Sequence, residues 1–475
     1  MEGFDLTANS HILSGTPGYD CILVQKLKEA GAIIIGQTHM DEFGMGSLGT
    51  NSNLPHGNQT INPLPALKDI ALEEYIQRIQ DANPPTLHIE PEAWVSPGGS
   101  SSGAAASVSM GSSILSVGTD TGGSIRLPAA WCGVVGLKPT YGAISRDGVV
   151  SYASSLDTVG VVGPSVKCVS YALDVMRNVR GEDDVGSSID GDDFDVWQDN
   201  VRDSTACFLD PVSGWMDDDF DTNQDGNDDG IAEDSKYSFS GMTVGIPAAF
   251  SVRECSDDVR QAWQNALEKL EEYGATIVTI SEERISPEAV KMSLPAYYVL
   301  SSAEASSNLS RYDGLRYGMS NENHQVAEGM NQREGQFAYT RTIGFGNEVQ
   351  RRILAGTAVL SSDRFHSHYE GAMSVRATIT KQFNSVFASK EGTGDEDPSV
   401  DVMLIPTAIT SPPSLRPDAP PQDNTEAFQN DVMTVPISLA GLPSVSVPIS
   451  NHVGMQIFGP RLSEEKILLA ANILH

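Results

Sequence analysis

Serine and glycine crowd two short segments of this chain. The first holds Gly98, Gly99, Ser100, Ser101, Ser102 and Gly103, and the second holds Thr121, Gly122, Gly123 and Ser124. A serine hydroxyl can serve as a nucleophile or relay a proton. Glycine lacks a Cβ, so its backbone N–H can approach a ligand closely. Ser124 comes just after Asp120, at the expected end of a strand and the start of a helix. Consecutive backbone N–H groups there could hold the oxyanion of a tetrahedral intermediate. Acyl transfer is the reaction class this pattern suggests. A flexible Gly/Ser linker would have the same composition, but ordered apolar segments on both sides argue against one.

A nucleophilic serine needs a base, and in the usual triad that base is histidine. The nine histidines show no motif that singles one out. His11 and His39 have no telling neighbours and read as surface or core residues. GxSxG is missing, which argues against an α/β-hydrolase elbow. Five cysteines, Cys21, Cys132, Cys168, Cys207 and Cys255, lack CxxC spacing. They read as reduced thiols, and no metal site is expected.

The surrounding elements must position these serines. Residues 20–32 have helical periodicity with a stop at Gly31, and the apolar run 33–36 predicts a buried strand. Residues 103–110 predict a small-residue helix. Residues 114–118 predict a strand leading into the second cluster, and 133–141 a strand and turn. Residues 242–247 and 275–280 predict strands flanking a helix. Ser256 would cap that helix, Val259, Trp263, Ala266, Leu267 and Leu270 would form its apolar stripe, and Gly274 would end it. That β-α-β unit favours a parallel connection. Further strands are expected at 402–405 and 445–449. The expected fold is α/β, a single large domain over 1–475 with two surface insertions.

The first insertion, residues 68–97, is helical at first and then broken by Pro84, Pro85 and Pro91. The second, residues 182–236, carries nineteen acidic and two basic residues and too little apolar surface to fold alone. Within it Asp221, Asn223, Asp225 and Gly226 match the opening of a calcium loop. The match fails at Asp228 and Ala232, so acidic disorder is the preferred reading. The whole chain of 475 residues has a formal charge of −33. No basic run is available to grip nucleic acid. No stretch approaches the roughly 20 apolar residues of a membrane span. The N-terminus has neither a secretion-signal nor a transit-peptide plan.

The paired clusters resemble the amidase-signature family. Its pattern is a GGSSGG cluster followed 24 residues later by the serine of a D-x-G-G-S-I-R motif, and residues 120–126 here read DTGGSIR. The resemblance implies that Ser124 is the acyl-ester nucleophile and Ser100 the bridging serine, held through a cis peptide bond. It implies an oxyanion hole from the N–H groups of Thr121, Gly122, Gly123 and Ser124, and a fold with a large central mixed sheet flanked by helices. Ser102, where the family usually has Gly, departs from the pattern.

Within that family, residues 40–52, 138–160, 301–318, 346–357 and 430–449 resemble the A subunits of glutamyl-tRNA(Gln) amidotransferases. Ala143, where these often have Arg, is a second departure. This likeness implies a glutaminase that passes ammonia to a B subunit, with a small third subunit in the complex. The B subunit would amidate Glu-tRNA(Gln) with ATP and magnesium and hold the tRNA, while this chain would carry no cofactor or metal of its own. Arg352 and Asp431 would grip the α-carboxylate and α-amino groups of glutamine, with Tyr297 or Tyr298 nearby. Ordinary alternatives are a surface salt bridge for Arg352 and a helix start for Asp431.

The family's base is a neutral lysine relayed through the bridging serine. It lies slightly upstream of the stretch matching residues 6–15, a position that falls before Met1. Lys26 and Lys28 are poor substitutes, and Lys138 belongs to another family feature. Loss of a positioned base costs about 10²–10⁴ in rate. The expectation is therefore a chain with an incomplete N-terminus that is weakly active or inactive as it stands. Two other functions compete: a stand-alone amidase of small amides, and a non-catalytic assembly subunit. The acidic insertions and the likeness suggest a mitochondrial matrix location, with no membrane contact.

Overall fold

The computed structural model describes residues 1–54, 59–67, 89–177, 241–316, 318–320, 331–388, 399–416 and 428–475. The acidic segment 182–236 with its calcium-loop opening, Cys207, and residues 68–88 of the first insertion lie outside the described residues. Within the described part, residues 94–97 tie into the body. Val95 bridges Ser414, and Ser96 is fully buried.

Eight strands form one mixed sheet: β1 (Ser116–Asp120), β2 (Val135–Lys138), β3 (Thr158–Gly163), β4 (Thr243–Pro247), β5 (Thr276–Ile280), β6 (Val402–Pro406), β7 (Ser444–Ser450) and β8 (Val453–Phe458). Their order is β1-β3-β2-β7-β8-β6-β4-β5. The pairs from β1 through β6 are antiparallel. β6, β4 and β5 run parallel. The expected β-α-β unit is therefore present, with Thr243 opposite Thr276 and Pro247 opposite Ile280.

Side chains on a strand alternate between faces, and here both faces are covered. On β6, Met403 and Ile405 join one core while Val402 and Leu404 join the other. The second core is covered by α1 (Ile22–Glu29), α4 (Val166–Met176), α5 (Asp257–Glu272) and α10 (Glu464–Leu474). α5 buries Val259, Ala262, Ala266 and Leu270, with Trp263 and Leu267 partly buried beside them. Ser256 precedes it, yet its hydroxyl donates to Asp258 instead of capping the helix.

The first core lies under α6 (Pro287–Asn308), α7 (Asn347–Val359), α8 (Glu370–Phe387) and α9 (Val435–Leu439). Two shorter pieces, α2 (Ser102–Ser109) and α3 (Arg126–Cys132), follow the two Ser/Gly clusters. α6 starts cleanly, because Pro287 suits the first turn and Ser286 Oγ accepts from Ala289 N at 3.2 Å.

One expected strand is not there. Residues 33–36 have no regular structure, and Ile33 and Ile35 are 88% and 68% exposed. A run of aliphatic residues signals burial only if a neighbouring strand can pair with it. Among the described residues none does. The strand expected at 114–118 lies two residues later, leaving Ile114 outside the sheet and exposed.

Candidate active site

β1 delivers its last residue, Asp120, into the core, and the chain then turns sharply into α3. Asp120 holds that turn. Its Oδ2 accepts from Ile125 N at 3.2 Å and Arg126 Nε at 3.0 Å, and its Oδ1 accepts from Arg126 Nη2 at 2.9 Å. Both side chains are fully buried. Burial alone would raise the Asp120 carboxyl pKa, but the Arg126 charge and hydrogen bonds outweigh it and hold the pKa below the usual value. A buried ion pair of this kind survives only with its remaining hydrogen bonds satisfied. Arg126 Nη1 accordingly donates to Gln456 Oε1 and Thr434 O, and Nη2 to Ser438 Oγ.

Between Asp120 and Ile125 the N–H groups of Thr121, Gly122, Gly123 and Ser124 donate to no protein acceptor among the described residues. Buried N–H groups are almost always paired. A row of free donors beside a hydroxyl can stabilise an oxyanion. Gly122 is required by space: a Cβ there would sit 2.7 Å from Tyr297 Cζ.

The first cluster meets the second directly. Ser101 N donates to Ser124 O at 3.2 Å, and the Gly99–Ser100 peptide bond is cis, as the resemblance implied. Ser100 O accepts from Asp41 N at 3.0 Å. Asp41 is itself buried and accepts from Gly49 N and Asn51 N, and burial pushes its pKa up to about 7. Ser100 is 1% exposed, and its Oγ has no hydrogen-bond partner among the described residues. The two serine hydroxyls are therefore close in the fold without being bonded to each other. Ser102, the departure from glycine, starts α2 with its hydroxyl 3.4 Å from His39 O. Ala143 is buried, 3% exposed.

A pocket of about 240 Å³ opens on this loop. It is lined by Gly44, Gly46, Ser47, Gly99, Gly122, Gly123, Ser124, Tyr297, Tyr298, Arg352 and Asp431. One end carries paired charges. Arg352 on α7 donates from Nε to Glu348 Oε1 at 2.8 Å and from Nη1 to Tyr152 OH. Its guanidinium also lies over the Tyr298 ring, 5.1 Å from the centroid. Burial works against the Arg352 charge, but the facing Tyr152, Tyr298 and Glu348 outweigh it and push the pKa above its usual value. Asp431 accepts from Tyr298 OH at 2.8 Å and Ser47 Oγ at 2.9 Å. Burial raises its pKa to about 6, with the tyrosine, serine and Arg352 opposing.

The structure thus brings Ser124, Gly122, Gly123, Tyr297, Tyr298, Arg352 and Asp431 to one cavity. Ser100 and Thr121 lie just behind it, and Thr121 Oγ1 donates to Asp157 Oδ1 at 2.8 Å. Among the described residues no histidine or lysine lines it. Lys26 donates to Arg177 O, Lys28 pairs with Asp20, and Lys138 is buried with Nζ donating to Pro139 O at 3.1 Å. Burial pushes Lys138 down to about 7. Cys21, Cys132, Cys168 and Cys255 are free thiols.

Sequence reasoning missed Ser47, Tyr152, Asp157, Glu348 and Thr434. Glu348 could have been found, since it stands four residues before Arg352 on a helix, the spacing of a helical ion pair. Ser47, Tyr152 and Asp157 are joined to the site only through tertiary contacts, and Thr434 stands on the same turn as Asp431.

Known proteins resemble this chain along its length. The Amidase family matches residues 1–69, 74–195 and 196–468. The A subunit of the Halothermothrix orenii glutamyl-tRNA(Gln) amidotransferase is 36% identical over 480 residues, covering 100% of this chain and 81% of the relative. The mitochondrial A subunit of Fusarium vanettenii is 37% identical over 496 residues, covering 99% of this chain and 84% of the relative. The crystal structure of the Thermotoga maritima A subunit superposes with a TM-score of 0.65 at 29% identity, covering 100% of this chain and 80% of that one. A 6-aminohexanoate cyclic dimer hydrolase shares the fold at 18% identity, with a TM-score of 0.65 over 100% of this chain and 81% of that one. With family match and relatives extending over essentially its whole length, the chain belongs to the amidase family and, within it, to the glutamyl-tRNA(Gln) amidotransferase A subunits.

Proposed function

We propose that this chain is the glutaminase subunit of a tRNA-dependent amidotransferase. The observation that carries the reading is the two-ended pocket: opposite charges at Arg352 and Asp431, and free N–H groups beside Ser124. Arg352 takes the α-carboxylate of glutamine and Asp431 its α-ammonium, so the side-chain amide extends toward Ser124. Charge-assisted bonds of this kind are about twice as strong as neutral ones.

Ser124 Oγ then bonds to the amide carbon. The carbonyl oxygen becomes an oxyanion facing the N–H groups of Thr121, Gly122, Gly123 and Ser124. The C–N bond breaks and ammonia leaves with the serine's proton, passed by way of the Ser100 hydroxyl. Water hydrolyses the resulting ester to glutamate and restores Ser124. The unpartnered Ser100 Oγ supports a relay role, because its hydrogen-bonding capacity is unspent. By the family resemblance the base is a lysine amine.

Ammonia passes to a B subunit, which uses ATP and magnesium to amidate Glu-tRNA(Gln), and a third small subunit completes the complex. This chain needs no cofactor. The charge of −33 fits a subunit that leaves the tRNA to its partner. A mitochondrial setting is supported by the Fusarium vanettenii relative and by the mitochondrial A subunit of Candida albicans, 34% identical.

The test is glutamine-dependent ammonia release by the chain co-purified with a B subunit. Release should be abolished by Ser124→Ala. Release that persists in that variant, or a preference for bulky apolar amides over glutamine, would sink the reading.

A further inference from the structure

The free N–H groups beside Ser124 are useful only if their peptides are held in one orientation. Asp120 and Arg126 fix both ends of the loop, but its middle is two glycines, the most permissive residues available. One side chain reaches that middle. Thr434 Oγ1 donates to Gly122 O at 2.5 Å. Thr434 is fully buried, and the Gly122–Gly123 bond is trans. In a trans peptide the carbonyl and the following N–H point in opposite directions. Anchoring Gly122 O on Thr434 therefore turns Gly123 N–H away from Thr434, and Gly123 and Ser124 line the cavity while Thr434 does not.

Two details set this apart from ordinary core packing. Thr434 stands at the N-cap position of α9, where a threonine hydroxyl normally accepts from the helix's own N–H groups. Here it makes no such bond; the hydroxyl donates to Gly122 O on the loop, with Asp431 O a longer second acceptor at 3.4 Å. Gly123 has a φ of +142°, and any Cβ there would collide with Thr434 Oγ1. The glycine and the threonine are thus fitted to each other.

Thr434 is also bound to the charged end of the pocket. Its N–H donates to Asp431 O at 3.1 Å, and its own carbonyl accepts from Arg126 Nη1 at 3.2 Å. One short turn carries both the carboxylate at the ligand's head and the hydroxyl that aims the loop at its reacting end.

We infer that Thr434 is a positioning residue: it orients the Gly122–Gly123 peptide so that Gly123 N–H faces the developing oxyanion, and it ties that orientation to the Asp431 turn. The inference rests on the acyl-transfer reading of Ser124 but not on glutamine being the substrate.

The test uses propylboronic acid, which has no amino-acid head. Ser124 Oγ bonds to boron and a proton is released, leaving a tetrahedral anion in the place of the intermediate. Its affinity is compared with that of glutamate, which binds through its head and forms no adduct. The full-length wild-type chain, Thr434→Val and Thr434→Ser are measured by calorimetry, with unfolding midpoints as a control on folding. Losing a whole oxyanion donor costs about 10²–10³, so a misaimed one should weaken boronate binding roughly 10–100-fold in Thr434→Val. Thr434→Ser should stay within about threefold of wild type, and glutamate affinity should hardly change in either. Equal boronate affinity in wild type and Thr434→Val would overturn the inference. So would equal losses in the Val and Ser variants, parallel losses of boronate and glutamate, or no boronate binding by the wild-type chain. Failure of the wild-type chain to bind glutamate would count against the glutamine reading alone, and the boronate comparison would still stand.

Discussion

Asp431 shows how much one residue's surroundings decide. Burial lifts its pKa to about 6, while holding a substrate ammonium requires the carboxylate. Protonation of the free protein as pH falls through about 6 should therefore remove the substrate's partner. The pH profile of kcat/KM reports groups of the free enzyme, so kcat/KM for glutamine should drop on the acid side with a midpoint near 6. Asp431→Asn should remove that limb and raise KM by about 10–100-fold, consistent with about 1.5–3 kcal/mol for a hydrogen bond to a charged group. Initial-rate kinetics from pH 5 to 8 on both proteins would check this, and an unchanged acid limb in the variant would refute the role. Ser124 was legible in the sequence because its chemistry is written locally, in DTGGSIR. Ser47 and Tyr152 were not, because nothing around them in sequence reports that one meets Asp431 and the other Arg352 across the fold.

At the scale of elements, the two ends of the pocket are joined through Asp157, the residue just before β3. One oxygen accepts from Thr121 Oγ1 at 2.8 Å, and the other from Tyr152 N and Ala153 N, each at 2.9 Å. Tyr152 in turn holds Arg352. Asp157→Ala would leave a hydroxyl and two N–H groups buried without partners, each costing about 1–3 kcal/mol. We expect it to lose about 3–5 kcal/mol in urea unfolding and to raise KM for glutamine at the same time. Asp157→Asn keeps the shape and one acceptor, so its losses should be smaller on both counts. A destabilised variant with wild-type KM would show that Asp157 supports the fold without tuning Arg352. The strands show where local pattern fails. β2, β4, β5, β6 and β7 fall within a residue or two of the apolar runs that announced them, whereas β3 and β8 were not announced. Residues 33–36 have as strong a run but no partner among the described strands, and pairing is a property of two segments, not one.

For the whole molecule, the mixed sheet flanked by helices was implied by the family resemblance, while the α/β class was readable from alternating helix and strand patterns. The antiparallel order of β1, β3, β2, β7 and β8 was not, because strand order depends on contacts between residues far apart in the chain. The sheet's inner layers also bury an unusual set of carboxyls. Burial raises Asp41 and Glu42 to about 7 and Asp157 and Asp431 to about 6, from ordinary values of 3.8 or 4.5. A raised folded pKa means that between about pH 4 and 7 the folded chain binds protons the unfolded chain does not. Stability then falls as pH rises through that window and is recovered on acidification. His39 and His475 act in the opposite sense, since burial lowers their pKa values and acid favours the unfolded form. Lys138, pushed down to about 7, changes its contribution mainly above neutrality. Four carboxyls against two histidines, together with partial relief of a net charge of −33, should make the chain more stable at pH 5.5 than at pH 7.5. Activity is expected to move the other way, because Asp431 must be ionised to bind. Thermal unfolding and kcat/KM measured across the same buffers would check both. An unfolding midpoint that falls on acidification would show that the buried carboxyls are not raised in the folded chain, and a kcat/KM that does not fall would refute the role of Asp431.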